Sequence, residues 1–405
     1  MVAQAIGPGD PAPAPETARW PAIVSLSLGV FGLVTSEFLP VSLLTPMSED
    51  LGVSTGAAGQ AMTVTAVVAG FAGPATVILT RRLDRRGVLL ALTALLLLSN
   101  LLSALATSYG ALMVARAALG VALGGFWAMS AGLAMRLAPP RLVPRALAVV
   151  MTGVSLASIL AAPFGAWIGD LLSWRHAFGA AALVGLLALV AQALTVPRLA
   201  PSGSASLGTL LRVLRRPTIH YGLLAVMLVM TAHFAGFTYI RPYLETVPKL
   251  GIGMISAVLS AFGVAGFLGN LAGAALAERG TRRAIGLAAA ALTATSAALA
   301  FAGWIPLVAV GAILVWGFAF AMVPVSAQTL MTVGAPDEAE SAGALNLAAF
   351  QVAISSGAVF GGLIVDSLGP AGIFMLSGLA AFLGLFAVNA IGGPAADGPC
   401  PQGAR

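Results

Sequence analysis

The chain has 405 residues, of which 59% are hydrophobic and only 8% charged, with a mean hydropathy of +0.99, whereas a soluble domain carries roughly a quarter charged residues. This is the composition of an integral membrane protein: at about 20 apolar residues per span it leaves room for about twelve spans and no sizeable soluble domain. The formal charge of +6 is nearly all arginine in short loops between apolar runs, a pattern that sets topology and argues against a nucleic-acid partner.

The chemical exclusions are equally plain. Cys400 is the only cysteine, so neither an intramolecular disulfide nor the usual Cys-based zinc site is expected. Lys249 is the only lysine and is followed by leucine, so no phosphate-binding Gly-Lys-Ser/Thr loop exists and an ATP-driven pump would need a separate subunit. No HExxH, GxSxG or CxxC run is present. No enzyme chemistry, metal or cofactor is expected.

In chain order, Met1 to Arg19 reads as a Pro/Ala-rich cytoplasmic tail. Arginine and Pro/Gly breaks then place spans near 20–45, 55–79, 87–106, 109–136, 144–171, 175–196, 218–245, 252–276, 284–303, 305–332, 339–365 and 370–392. Threading the charges through alternate loops puts most arginines on one side, with only Arg175, Arg241 and Lys249 opposite. That bias sets both termini of a multi-pass membrane protein in the cytoplasm. A linker at 198–216 divides a half at 20–197 from a half at 217–393, and 394–405 forms a second cytoplasmic tail. The halves look duplicated, since Ala162, Gly165, Asp170 and Phe178 match Ala358, Gly361, Asp366 and Phe374 at an offset of 196. The expectation is an all-α membrane protein of twelve transmembrane helices in two pseudo-symmetric six-helix halves, with a site for a small-molecule substrate between them. It is read as a monomer whose partners are protons, that solute and the lipid bilayer.

Few ionisable residues lie deep in spans, where each costs roughly 2.5 kcal/mol or more unless it faces a cavity or a partner. Glu37 in span 1 and Arg116 in span 4 both lie roughly 10–12 Å from the outer surface at 1.5 Å per residue and could meet in a central cavity. Glu37 is the candidate proton carrier, with Arg116 favouring its deprotonated form. The alternative is a static pair, or bonds to backbone in a broken helix. His233 occupies the position equivalent to Glu37 at the same offset of 196, and could relay protons, bond substrate or simply pack. Arg241 and Glu245, near the outer end of span 7, are expected to snorkel to water. In span 4, Arg116, Gly120 and Gly124 share one face, and span 5 carries a small-residue stripe with Pro163 and Gly165; such stripes permit close helix approach. Candidate groups for a planar, hydrogen-bonding solute are Ser36, Thr63, Trp127 and Ser130 in the first half. In the second half they are Phe234, Tyr239, Asn270, Trp316, Gln328, Asn346 and Gln351.

These residues resemble the major facilitator superfamily, in particular its twelve-span drug:proton antiporter branch, from about Trp20 to Gly393. Asp84-Arg85-Arg86-Gly87 is similar to the loop 2-3 signature of that family, with Thr80 in place of its leading glycine. The resemblance implies a gating role for Asp84, Arg85 and Gly87. Arg116-x-x-x-Gly120-x-x-x-Gly124 is similar to the span 4 signature linked with proton coupling. Ala162-Pro163-x-Gly165 resembles the span 5 antiporter signature, with alanine for the glycine before proline. More narrowly, the run from Thr35 to Met47, the run from Gly120 to Ser130, and Phe237 to Pro242 look like those of members that export purine nucleosides. The resemblance implies proton-coupled efflux, by alternating access, of small polar solutes such as inosine, guanosine and their analogues. Neighbouring branches export arabinose-type sugars or chloramphenicol-like drugs, and these are the alternative.

Overall fold

The computed structural model describes residues 17–199, 207–335 and 338–390. Residues 1–16, the tail at 394–405 and Cys400 lie outside the described residues. The first half contains α1 (Trp20–Leu51), α2 (Thr55–Leu79), α3 (Arg85–Ala104), α4 (Tyr109–Leu137), α5 (Val143–Leu171) and α6 (Trp174–Thr195). A short linker helix follows, α7 (Leu207–Leu214). The second half contains α8 (Pro217–Thr238), α9 (Ile240–Thr246), α10 (Ile252–Arg279), α11 (Thr281–Ala302), α12 (Pro306–Gly334), α13 (Ala339–Leu368) and α14 (Gly372–Asn389). Twelve of these helices are long and apolar enough to cross a membrane, in the order expected from the sequence.

The packing of each half repeats the other. In the first half α1 lies on α5 and α6, α2 on α4, and α3 on α4 and α6. In the second half α8 lies on α13 and α14, α10 on α12, and α11 on α12 and α14, the same five pairings. The halves meet through α2 with α13 and α5 with α10, contacts that a two-fold rotation exchanges. Phe38 and Phe234, related by the sequence offset, stack on each other across this axis with ring centroids 6.2 Å apart.

Two departures from the expected boundaries lie at prolines. Helix α1 continues past Pro40 and Pro46 to Leu51, although each proline lacks the N–H that would bond the carbonyl four residues earlier. The orphaned carbonyls are those of Ser36 and Ser42. The seventh span breaks at Tyr239 into α8 and α9, where Pro242 removes the donor that the Thr238 carbonyl would have used. Gly52, at φ 63°, ends α1 in the left-handed conformation and donates its N–H to the Glu49 carbonyl.

The two halves are joined toward the end of the bundle where α1 finishes and α2 starts, here the far end. Arg241 donates to the Ser42 carbonyl across the halves and pairs with Glu245 at 2.7 Å. Thr45 donates to the other Glu245 oxygen at 2.6 Å. Asp366 accepts from the Ser54 hydroxyl at 2.6 Å and from the Gly56 amide at 2.9 Å, placing a carboxylate on the N-terminus of α2. At mid-depth α5 and α10 touch backbone to backbone, since a Cβ on Gly263 would lie 2.7 Å from the Ile159 Cα. Seven residues nearer the terminus-bearing end on each helix, about 10 Å along the axes, Thr152 and Asn270 are both exposed. The seam is closed at the far end and open at the other.

Candidate substrate and coupling site

Glu37 and Arg116 come close, but not as an ion pair. Arg116 is fully buried, and its N–H groups go to the carbonyls of Ser36 at 2.8 Å, Glu37 at 3.3 Å and Ala61 at 3.4 Å. The Ser36 carbonyl is the one that Pro40 orphans. Of the arrangements expected from the sequence, bonding to backbone in a broken helix is the one Arg116 adopts. It ties α4 to α1 and α2 at the break, with its guanidinium 5.8 Å from the centre of the Phe178 ring. The carboxylate of Glu37, beside this cation and 7% exposed, belongs to the only acidic residue in the buried set among the described residues.

His233 does not join this centre. It is 1% exposed and its Nδ1 has no hydrogen-bond partner. Rings surround it: Phe320 lies parallel at 3.4 Å between centroids, Phe237 and Trp316 lie at 5.1 Å, and Phe262 lies at 6.2 Å. No carboxylate bonds it, so the geometry gives no proton path from His233 to Glu37. The equivalence with Glu37 fixes its depth and not its chemistry.

The candidate solute-binding residues do not gather at one place. Asn270 and Gln328 are exposed toward the open end, and Asn346 donates to Gln328 at 3.3 Å. Trp127 is half-buried, and Ser130 donates back to its carbonyl at 3.2 Å. Phe234 and Trp316 are buried among the rings around His233, and Gln351 is buried close to Gly70 where α13 meets α2. Thr63 keeps a buried hydroxyl without a partner. Two residues are placed elsewhere. The Ser36 hydroxyl donates to Gly32 and accepts from Asn100, which fastens α1 to α3. Tyr239 sits in the closed seam, its hydroxyl donating to the Ala358 carbonyl at 2.7 Å and lying 3.4 Å from that of Gly56. Arg241 and Glu245 also depart from expectation: they bridge the halves instead of snorkelling, and Arg241 is 6% exposed. The signal for this was Pro46, four residues after Ser42.

The residues expected to gate have distinct roles. Asp84 caps α3 through the Arg86 amide at 2.8 Å and holds the start of the linker through the Leu199 amide at 3.1 Å. The Leu199 bond is the chief cause that holds its carboxyl below the usual aspartate value. The charged carboxylate is thus favoured in the fold, and its contribution is present at neutral pH and lost only on acidification below the ordinary aspartate range. Arg85 donates to the Thr80 hydroxyl at 3.0 Å, so the residue that replaces the glycine of the signature has a bond of its own. Gly165 packs on Leu39 and Ser42 of α1, three residues after Ala162 and beside Pro163 inside α5. Gly120 and Gly124 face α2, where a Cβ on Gly124 would meet the Ala69 carbonyl and lie 2.9 Å from the Gly73 amide. Gly87 differs, with open space around the position of a Cβ. Gly124→Val is therefore expected to force α2 and α4 apart at a cost of about 1–3 kcal/mol or more. Gly87→Ala should be tolerated and gain about 0.5–1 kcal/mol as a helix glycine replaced by alanine. Thermal unfolding of the two detergent-purified variants measures both signs.

The family model described as the Major Facilitator Superfamily matches residues 26–355. The chain belongs to the major facilitator superfamily. Its curated relatives include the purine ribonucleoside efflux pump NepI of Escherichia coli (strain K12) and that of Shigella flexneri. Each is 41% identical over 372 residues, covering 92% of this chain and 94% of the relative. Among solved structures it resembles a bacterial homologue of the human lysosomal transporter Spinster in an inward-facing, unoccupied conformation. That likeness has a TM-score of 0.70 and 16% identity, and covers 93% of this chain and 95% of the other. The same homologue in its occupied form gives a TM-score of 0.72 at 15% identity, with the same coverage. At that identity the likeness concerns the fold, and it agrees with the two six-helix halves described above. The chain is thus a multi-pass membrane transporter of this superfamily.

Proposed function

We propose that this major facilitator protein is a proton-coupled exporter of small polar solutes, with purine ribonucleosides such as inosine and guanosine as its main cargo. It works in the bacterial inner membrane by alternating access, with both termini in the cytoplasm. The observation that carries the coupling is the burial of Glu37 where the helix ladder of α1 is broken, beside Arg116 and near the junction of the halves. A carboxylate there is costly when charged, so its proton occupancy can follow the exposure of the site to one side or the other. In the cycle, Glu37 takes a proton facing outward as solute leaves and releases it facing inward as solute binds. The arginine-rich loops support the orientation, and the named relatives support the cargo. With that orientation, the closed far end is periplasmic and the open end faces the cytoplasm.

Reconstituted protein in liposomes under an imposed pH gradient, offered labelled inosine, chloramphenicol and arabinose in parallel, tests the reading. Gradient-driven inosine flux is expected. Flux of chloramphenicol or arabinose alone would keep the antiporter and replace the cargo, and no dependence on the gradient for any solute would overturn the coupling.

A further inference from the structure

The ring cluster around His233 has features that packing alone does not explain. His233, Phe320, Phe237 and Phe262 form a stack of nearly parallel planes: Phe320 lies at 10° to the histidine, Phe237 at 21° and Phe262 at 16°. Trp316 borders the stack, tilted by 52° to His233. Two nitrogens inside it, His233 Nδ1 and Trp316 Nε1, are buried and have no hydrogen-bond partner. Each such group carries the desolvation cost of an unmade hydrogen bond, and the indole N–H can only donate. A cluster built solely for packing would be served better by phenylalanine at both places.

One wall of the stack is built to move. Phe320 is only half-buried, and Pro324 inside α12 removes the N–H that would bond the Phe320 carbonyl. Phe320, Pro324 and Gln328 follow one another at four-residue intervals on one face of α12, and Gln328 is exposed toward the open end. The Phe320 ring therefore covers one face of His233 while remaining partly accessible itself, on a turn with a weakened ladder.

We propose that His233 and Trp316 form a binding subsite for a planar, hydrogen-bonding nitrogen heterocycle, and that Phe320 is the leaf such a ring displaces. The heterocycle stacks on the face of His233 in place of Phe320. Trp316 Nε1 donates to a ring acceptor, and His233 supplies the stacking face. An aliphatic solute can neither stack nor bond the indole N–H, and a sugar can bond it but not stack. The identification of the heterocycle as the base of a purine nucleoside rests on the function proposed above; the subsite itself does not.

Hypoxanthine, the free base of inosine, is the probe, titrated calorimetrically against the full-length protein in detergent so that binding is read without transport. Wild type should bind it. Trp316→Phe, which keeps a ring and deletes the N–H, and His233→Ala, which removes the stacking face, should each weaken binding roughly tenfold or more, and ribose should not compete. Phe320→Ala should bind as tightly as wild type or more tightly, a readout in the opposite direction that survives if either of those variants unfolds. Failure of wild type to bind hypoxanthine, or wild-type affinity in both Trp316→Phe and His233→Ala, overturns the subsite whether or not inosine is transported. Hypoxanthine binding with the expected losses, in a protein that moves no inosine, upholds the subsite and removes the nucleoside reading.

Discussion

Glu37→Gln is expected to bring pH-gradient-driven solute accumulation down to the level seen without a gradient, while exchange of the same solute across the membrane continues. Glutamine keeps the shape of the side chain and can still hydrogen-bond, but it has no proton to exchange. The loss should therefore fall on coupling and not on assembly of the site. Burial gives a second, independent readout. A carboxylate that is 7% exposed and makes no ion pair carries a desolvation cost that the amide does not. The variant should accordingly unfold at a temperature equal to or a few degrees above that of wild type. Accumulation that persists in Glu37→Gln would move the coupling role to another residue. A variant that both unfolds early and loses exchange would make Glu37 structural.

The second large effect concerns Arg116. Arg116→Met preserves length and apolar bulk but removes every N–H offered to the carbonyls of Ser36, Glu37 and Ala61. The Ser36 carbonyl then has neither an arginine nor the amide that Pro40 lacks, and a cost of about 3 kcal/mol or more follows from several charge-assisted bonds lost in a buried site. Pro40→Ala supplies the missing N–H within the helix. In the double variant the cost of losing Arg116 should fall by about 1–2 kcal/mol, a coupling measurable by thermal unfolding across the four proteins. Arg116→Lys should behave more like methionine than like arginine, because one ammonium cannot address three carbonyls in a fixed fork. Strictly additive costs would mean that the guanidinium is held for something other than the broken ladder.

The span count, the repeat and the family were legible because each is written along one dimension of the chain. Apolar run length, arginine placement and the 196-residue offset need no knowledge of contacts. Side-chain roles were less legible, and the reasons are specific. Arg116 reads as a partner for Glu37 because carboxylates are visible in a sequence and carbonyls are not. Only the prolines mark which carbonyls are free, and Pro40 and Pro46 were the usable signal. Arg241 was misjudged for the same reason. The surroundings of His233 come from α8, α10 and α12, spread from Phe234 to Phe320, so its aromatic enclosure could not be inferred from its match to Glu37. Tyr239 left the expected cavity because the break before α9 turns it toward Gly56 and Ala358.

The far-end seam has a consequence for genetics. Its charged groups, Arg241, Glu245 and Asp366, all belong to the second half, whereas the first half answers with the Ser42 carbonyl, the Gly56 amide and the hydroxyls of Thr45 and Ser54. Peptide groups cannot be deleted by a codon change. A selection for transporters with a loosened seam should therefore gather most of its hits in the second half of the coding sequence. Comparison of many homologues should show few paired substitutions across this contact, because half of what the first half offers is peptide backbone and the rest is two small hydroxyls.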